Sequence, residues 1–374
     1  MTRYFATCAR GLEGVLAGEL RALGARAVEP GRGGASFEGD TALLYRACLW
    51  LRTAVRVLRP VSEFDCTNPE QLYDAVRAIA WHDLMTADHT LAVDCNVRDS
   101  GITHSQYAAR RVKDAICDQF RDRTGRRPSV DTERPMIGLN LHISKNRAVL
   151  SLDASWDSLH KRGYRPIQTI APLNEALAAG LLLHTGWNGT APLADPLCGS
   201  GTFCVEGAWL ALNRPPGLTR KWFAFQGWSD FDRELWNAVR DDARAGVKKE
   251  LPAPIAGSDV HRGALDLARQ NAKAAGVGHL VKLDVCDVRA ARPPSAEPGV
   301  MIVNPPYGER IGEEDEWKPL YRALGETVGA HWPGWRLFVF TSNSRLAKLV
   351  PLKVDGKAPF FNGSLDCFLW EYRT

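Results

Sequence analysis

The chain has 374 residues, 45% of them hydrophobic, which exceeds what a single core usually serves and points to two or more domains. Its net charge of +4 and pI near 8.5 permit an anionic partner without requiring one, so charge placement has to decide the matter. The nine cysteines are scattered, without Cys-x-x-Cys pairs or nearby His ligand spacing; the amino terminus lacks a signal-type apolar run, and no stretch approaches the ~20 apolar residues of a membrane span. A soluble, cytoplasmic, monomeric protein with reduced thiols, no metal and no membrane partner is expected.

From the amino terminus, Tyr4 to Cys8 reads as a strand and Gly11 to Leu23 as a helix with Leu12, Val15, Leu16 and Leu20 at helical spacing, ended by Gly24. Ala27-Val28 and Ala35 to Gly39 read as strands and Thr41 to Trp50 as a second helix, which makes a small α+β unit. A second module begins near Asp65, with a helix over Pro69 to Ile79, an alternating strand over Thr90 to Val97, and a helix over Ser105 to Phe120. That helix places Ala109, Val112, Ile116 and Phe120 on one face and Arg110, Arg111 and Lys113 elsewhere. Arg121, Arg123, Arg126, Arg127 and Arg134 continue the positive run into the strands Ile137 to Ser144 and Ala148 to Asp153. Such a run is either a phosphate-tracking surface for RNA or a solvated helix face, and charge alone does not separate the two.

A connector, Ser158 to Pro166, leads to Ala171-Pro172-Leu173-Asn174-Glu175 and a helix over Glu175 to Thr185. From Pro192 onward strands and helices alternate, which predicts a doubly wound parallel sheet with strands at 192–194, 255–258, 281–283, 300–303 and 336–341. Residues 357–372 predict a terminal hairpin around Asn362-Gly363.

The chemistry sits at the ends of these strands. Gly199-Ser200-Gly201 lies where a first strand meets a helix, so glycines there admit a ligand close to backbone amides. Cys204 stands where a dinucleotide fingerprint requires its third glycine, and Asp195 ahead of the loop suits a cationic ligand such as S-adenosylmethionine better than a pyrophosphate. Asp259 follows the second strand, where a carboxylate accepts from ribose hydroxyls, although a long segment replaces the usual spacing of about twenty residues. That segment, Trp209 to Glu250, holds Trp222, Phe223, Phe225, Trp228, Phe231 and Trp236, read as core aromatics of added helices in preference to base-stacking platforms. Asp287 after the third strand is either an acceptor for the adenine amine or a helix cap.

Asn304-Pro305-Pro306-Tyr307 ends the fourth strand. An amine on an aromatic base is a weak nucleophile because its lone pair is delocalised. The Asn304 side-chain oxygen and the Pro305 carbonyl accepting both amine hydrogens would pyramidalise the nitrogen and aim its lone pair at a methyl group. The prolines hold the backbone, and Tyr307 offers a stacking face for an extruded base.

On these residues, with Tyr4 to Glu13, Gln106-Tyr107, Val112 to Ile116, Leu159 to Arg165 and Asn304 to Arg310, the chain resembles the THUMP-domain guanine-N2 RNA methyltransferases, in particular the bacterial branch acting on 23S ribosomal RNA. The resemblance implies an α/β class I (Rossmann-like) methyltransferase domain at 156–374, preceded by an α+β ferredoxin-like subdomain at 1–62 and a THUMP RNA-binding domain at 63–155. It implies S-adenosylmethionine contacts at Asn174, Glu175, Asp195, Cys198, Gly199, Gly201, Thr202, Asp259, Asp287 and Asn304, and a catalytic run of Asn304, Pro305, Pro306 and Tyr307. It also decides the basic module in favour of RNA, with Arg110, Arg111, Lys113, Arg126, Arg127, Lys161 and Arg162 in contact. Ribosomal RNA is the expected partner and transfer RNA the alternative; a DNA adenine-N6 enzyme, a protein glutamine methyltransferase and a non-catalytic assembly factor are further alternatives. Some members carry a second methyltransferase domain at the carboxyl end, and the expectation here is a chain without one.

Overall fold

The computed structural model describes residues 1–165, 173–307 and 314–374, which form two sheets. In the amino-terminal half β1 (Thr2–Cys8), α1 (Glu13–Ala22), β2 (Arg26–Gly31), β3 (Gly34–Gly39), α2 (Thr41–Trp50) and β4 (Ala54–Asp65) are followed by α3 (Pro69–Arg77), β5 (Thr90–Arg98), α4 (Ser105–Thr124), β6 (Ser129–Val130), β7 (Ile137–Ser144) and β8 (Arg147–Asp153). Caps explain several of these boundaries. The Asp40 carboxylate accepts from the Leu43 N–H at 2.7 Å to start α2, the Asn68 side chain accepts from the Gln71 N–H ahead of α3, and Gly125 ends α4 in the left-handed region.

The two expected amino-terminal modules share one sheet, ordered β2-β3-β1-β4-β8-β7-β5-β6. The joining strand, β4, is absent from the sequence-based expectations and runs through the expected boundary between residues 62 and 63. Pro60 breaks its pattern, and the register with β8 shifts between Pro60 and Ser62, the kind of irregularity where proline is tolerated in a sheet. On α4 the buried stripe is Ala108, Val112, Ala115, Ile116 and Phe120, with Ala109 only half-buried.

The remaining elements are α5 (Glu175–His184), β9 (Leu193–Asp195), α6 (Thr202–Ala211), α7 (Arg233–Ala245), β10 (Ile255–Asp259), α8 (Arg262–Ala274), β11 (Val281–Val285), β12 (Val300–Val303), α9 (Glu314–His331), β13 (Arg336–Thr341), α10 (Ser344–Ala347), β14 (Lys353–Asn362) and β15 (Leu365–Arg373). The sheet order β11-β10-β9-β12-β13-β15-β14 is parallel except for β15, which runs antiparallel to both β13 and β14. Strand order reverses between β9 and β12, so a crevice opens beyond their carboxyl ends, where such sheets bind ligands.

The segment between the glycine loop and Asp259 accounts for its own length. Its Phe225 and Trp236 are buried against Tyr45 of α2 with Phe223 packed behind them, the Tyr45 and Phe225 rings stacked at 4.6 Å and the Tyr45 hydroxyl accepting from the Asp232 N–H at 3.0 Å. The insertion is therefore the surface by which the second sheet seats on the first. On the opposite face α9 packs Tyr321, Leu324 and Val328 over Met301, Val303, Leu337 and Val339. Among the described residues no helix is long and apolar enough to cross a membrane.

Candidate active site

Beyond β9 the chain turns back on its own backbone. The Cys198 N–H donates to the Ser258 carbonyl at 2.9 Å, the Gly201 N–H to the Cys198 carbonyl at 2.7 Å, and the Asn271 side chain to the Ser200 carbonyl at 2.9 Å. Gly199 and Gly201 lie at φ of 51° and 77°, and a Cβ on Gly201 would come within 3.0 Å of the Ala268 Cβ. Gly201 precedes α6 without a side-chain cap, which leaves the first N–H groups of that helix facing the crevice.

Asp195 is 3% exposed, and among the described residues its carboxylate has the Leu197 N–H as hydrogen-bond partner and no cation. Burial pushes its pKa well above the ordinary carboxylate value, and the nearby Asp259 charge adds to that. Such a group favours a positive ligand. Asp259 accepts from the Gly199 N–H at 3.0 Å and from the His261 N–H at 2.8 Å, so one carboxylate ties β10 to the loop. Beside it Val260 stands 55% exposed, an apolar face next to Asp259 that nothing in the local sequence marks. Asp287 caps the 3-10 turn Val288–Ala290 through the Arg289 N–H and pairs with the Arg289 side chain at 3.1 Å, so the capping role is present. The Cys198 thiol is buried, and that burial raises its pKa, which makes it a packing group.

Asn174 caps α5 by accepting from the Ala176 and Leu177 N–H groups, and Glu175 is buried. Glu175 is tied to the loop by Arg165, a second residue the sequence reading did not single out. Its guanidinium donates to the Thr202 hydroxyl at 2.8 Å and the Leu173 carbonyl at 2.6 Å, and lies 3.5 Å from the Glu175 carboxylate. The second arginine of Arg162-Gly163-Tyr164-Arg165 in the connector was the available signal.

At the end of β12, Asn304 is half-buried, yet its side-chain oxygen is buried without a hydrogen-bond partner among the described residues. Pro305 is buried, Pro306 exposed, and Tyr307 packs on the α9 face of the sheet. The Tyr307 carbonyl accepts from the Asn343 side chain at 3.4 Å, while the Asn343 oxygen caps α10. Gly308, Glu309 and Arg310 of the sequence motif, and Pro166, Ala171 and Pro172 of the connector, lie outside the described residues.

The candidate RNA contacts divide. Arg110, Arg126 and Arg127 are exposed, Arg111 lies over the Tyr73 ring at 4.4 Å, Lys113 pairs with Asp114, Arg126 with Asp88, and Lys161 with Asp157. Arg162 must be corrected. It is 2% exposed, paired with Glu206 of α6 and bonded to the Arg52 carbonyl, while the Tyr164 hydroxyl donates to the same Glu206 at 2.9 Å. Burial raises the Glu206 pKa and lowers that of neighbouring Arg52 to about 10. A charge sequestered in this way holds α6 against the connector and the first sheet, and cannot meet a phosphate.

Three stretches match known families: residues 3–58 the RlmL ferredoxin-like domain, 66–153 the THUMP domain, and 162–371 the RMKL-like methyltransferase domain. The ribosomal RNA large subunit methyltransferase K/L of Syntrophotalea carbinolica is 46% identical over 99% of this chain and 53% of its own length. The Synechocystis protein named "Putative RNA methyltransferase slr0064" is 44% identical over 99% of this chain and 96% of its own length. The crystal structure of SMU.472 complexed with SAH superposes with a TM-score of 0.90 at 30% identity, covering 100% of this chain and 98% of that one. The chain thus spans about half the length of the K/L relatives it matches.

Proposed function

The chain belongs to the RMKL-like methyltransferase family, and from that premise we propose that it transfers a methyl group from S-adenosylmethionine to the exocyclic N2 of a guanosine in large-subunit ribosomal RNA. In this reading residues 1–62 and 63–155 present the RNA, through Arg110, Arg111, Lys113, Arg126, Arg127 and Lys161, to a catalytic domain at 156–374. The names of the K/L relatives and the THUMP match support RNA as substrate.

The site residues fit the donor. S-adenosylmethionine supplies a methyl group made electrophilic by its positive sulfur. Asp195, buried without a cation among the described residues, would bind its positive end, and Asp259 has lone pairs left for the ribose hydroxyls. Val260 and the residues around Asp287 would bracket the adenine, and Asn174 and Glu175 would close the remaining side. Cys198, Gly199, Gly201 and Thr202 give the loop its close approach.

The unpartnered Asn304 oxygen carries the reading. A buried acceptor left unpaired costs roughly 1–3 kcal/mol, and a substrate amine repays that when it donates. With the Pro305 carbonyl accepting the second hydrogen, the nitrogen turns its lone pair away from both acceptors toward the donor side. Pro306 stiffens the run, and Tyr307 stacks on the base once it leaves its helix. Neither acceptor is a base at neutral pH, so the proton the nitrogen sheds passes to water.

The deciding experiment incubates the protein with methyl-labelled S-adenosylmethionine and total RNA, then fractionates the RNA by size and digests it. Label in N2-methylguanosine from large-subunit RNA is expected. Label in transfer RNA moves the substrate to the alternative, and label in no RNA overturns the reading.

A further inference from the structure

Several cations of the amino-terminal half are neutralised on the surface. Arg121 lies against Asp118 and Asp122, Arg77 against Asp122, Arg126 against Asp88, and Arg147 against Glu63. A guanidinium facing its own carboxylate has less to offer a phosphate, because that partner must first be displaced. Lys357 of the carboxyl-terminal hairpin, and Arg10, which lies against that hairpin near its tip, are held differently. The Arg10 guanidinium sits over the Phe361 ring at 4.0 Å, and the Lys357 ammonium over Phe368 at 3.6 Å and Trp370 at 4.6 Å. Both side chains are exposed, and among the described residues neither has a carboxylate partner. An aromatic face fixes a cation in place while leaving its full charge to solvent.

Their position is also particular. Pairing of Thr341 with Phe368, and of Phe368 with Pro359, sets this tip at the carboxyl ends of the parallel strands, on the same rim as Asp195 and Asn304. Hydrogen bonds lead there from the catalytic run: Asn343 donates to the Tyr307 carbonyl, and Lys357 donates to the hydroxyl of the next residue, Ser344, at 3.4 Å. Arg10 reaches the tip from the first sheet because Gly11, at φ of 89°, lets the hairpin come close; a Cβ there would stand 2.8 Å from the Pro359 carbonyl oxygen. The acidic group across from Phe361, Asp366, is exposed and enters no ion pair among the described residues.

We propose that Arg10 and Lys357, seated on Phe361 and on Phe368 with Trp370, form a ledge that grips the phosphates of the RNA strand flanking the target nucleotide. The ledge rests on the reading of the protein as an RNA methyltransferase and adds to it a docking surface beside the catalytic run, separate from the basic module of the first sheet. Each of these cations that meets a phosphate releases condensed counterions from the RNA, so its loss should show in the salt dependence of binding.

The test uses the full chain, a labelled oligouridine strand as binding probe, and total large-subunit RNA as substrate. Arg10→Gln combined with Lys357→Gln is expected to flatten the dependence of log affinity on log salt by roughly 0.7 per lost contact. KM for RNA is expected to rise while kcat at saturating RNA, affinity for S-adenosylmethionine and melting temperature hold. Lys357→Arg should retain the slope, and Arg126→Gln should change it less than Lys357→Gln does. An unchanged slope and KM in the double variant, with a wild type that methylates RNA normally, removes the ledge alone. A wild type that neither methylates RNA nor binds the probe in a salt-dependent way removes the underlying reading instead.

Discussion

The loop after β9 and the run after β12 leave neighbouring strands of one sheet; the loop's own polar groups are bonded within the protein, although the Asn271 oxygen behind it is buried without a partner among the described residues, while the run keeps one acceptor open at its own strand end. Gly199, Ser200 and Thr202 are bonded to Asp259, Asn271 and Arg165, and the helix that follows is pinned by the buried Arg162–Glu206 pair. Asn304, one strand away, keeps a buried oxygen without a partner among the described residues. A loop held by the protein's own bonds is set in place without a ligand, and under the proposed function the open acceptor is the one that would receive the reacting amine. Under the proposed function, the contrast would separate residues that shape the site from Asn304, which would act in it.

The largest effect should fall on the held side. Arg162→Met strips Glu206 of its buried partner and should destabilise the fold by about 3–5 kcal/mol, seen as a lowered denaturant midpoint, while Arg126→Met at the surface stays within about 0.5 kcal/mol. Equal, small effects would return Arg162 to the surface reading. On the open side, Asn304→Ala should lower kcat by about 10²–10³-fold, the cost of one aligned acceptor of ~2.7–4 kcal/mol in comparable sites. Its stability should be unchanged or raised, since a buried unpaired oxygen goes with it. Normal turnover in this variant would break the comparison at its centre.

Asp259→Ala belongs to the held side and should weaken cofactor binding by roughly tenfold to a hundredfold, in line with ~1.5–3 kcal/mol for hydrogen bonds to a charged group, with kcat at saturation little changed. Calorimetry reads this directly. The smallest effect concerns Asp195, whose folded-state pKa lies above its unfolded value. An acid shifted upward favours the folded state least once pH has risen through both values, so the ligand-free wild type loses stability as pH climbs above about 4. Asp195→Asn should match the wild type at lower pH, be more stable at neutral pH in thermal melts, and bind S-adenosylmethionine more weakly. A variant less stable than wild type at pH 7 would show that the carboxylate serves a partner within the protein.

Much of this was legible in residue order. The glycine loop, the acids ending β9 and β10, and the Asn304 run are contiguous motifs whose turns and strand ends depend on near neighbours. The strands of the second sheet follow from short apolar runs for the same reason. β4 was not legible, because Pro60 and its mixed exposure hide a strand whose pairing lies with distant partners. Arg162 was misread because Lys-Arg in a connector looks the same whether solvent or Glu206 awaits it.

By itself the amino-acid order determined which chemical groups stand at which strand ends, since local backbone geometry sets those positions within a few residues. The tertiary structure alone decided which charges are sealed, which are ring-held and which acceptor stays open. Those outcomes depend on what packs in from far along the chain: α6 against the connector, α2 against the insertion, and the terminal hairpin against Gly11. Burial, and with it the strength of every charge and hydrogen bond, is a property of that packing.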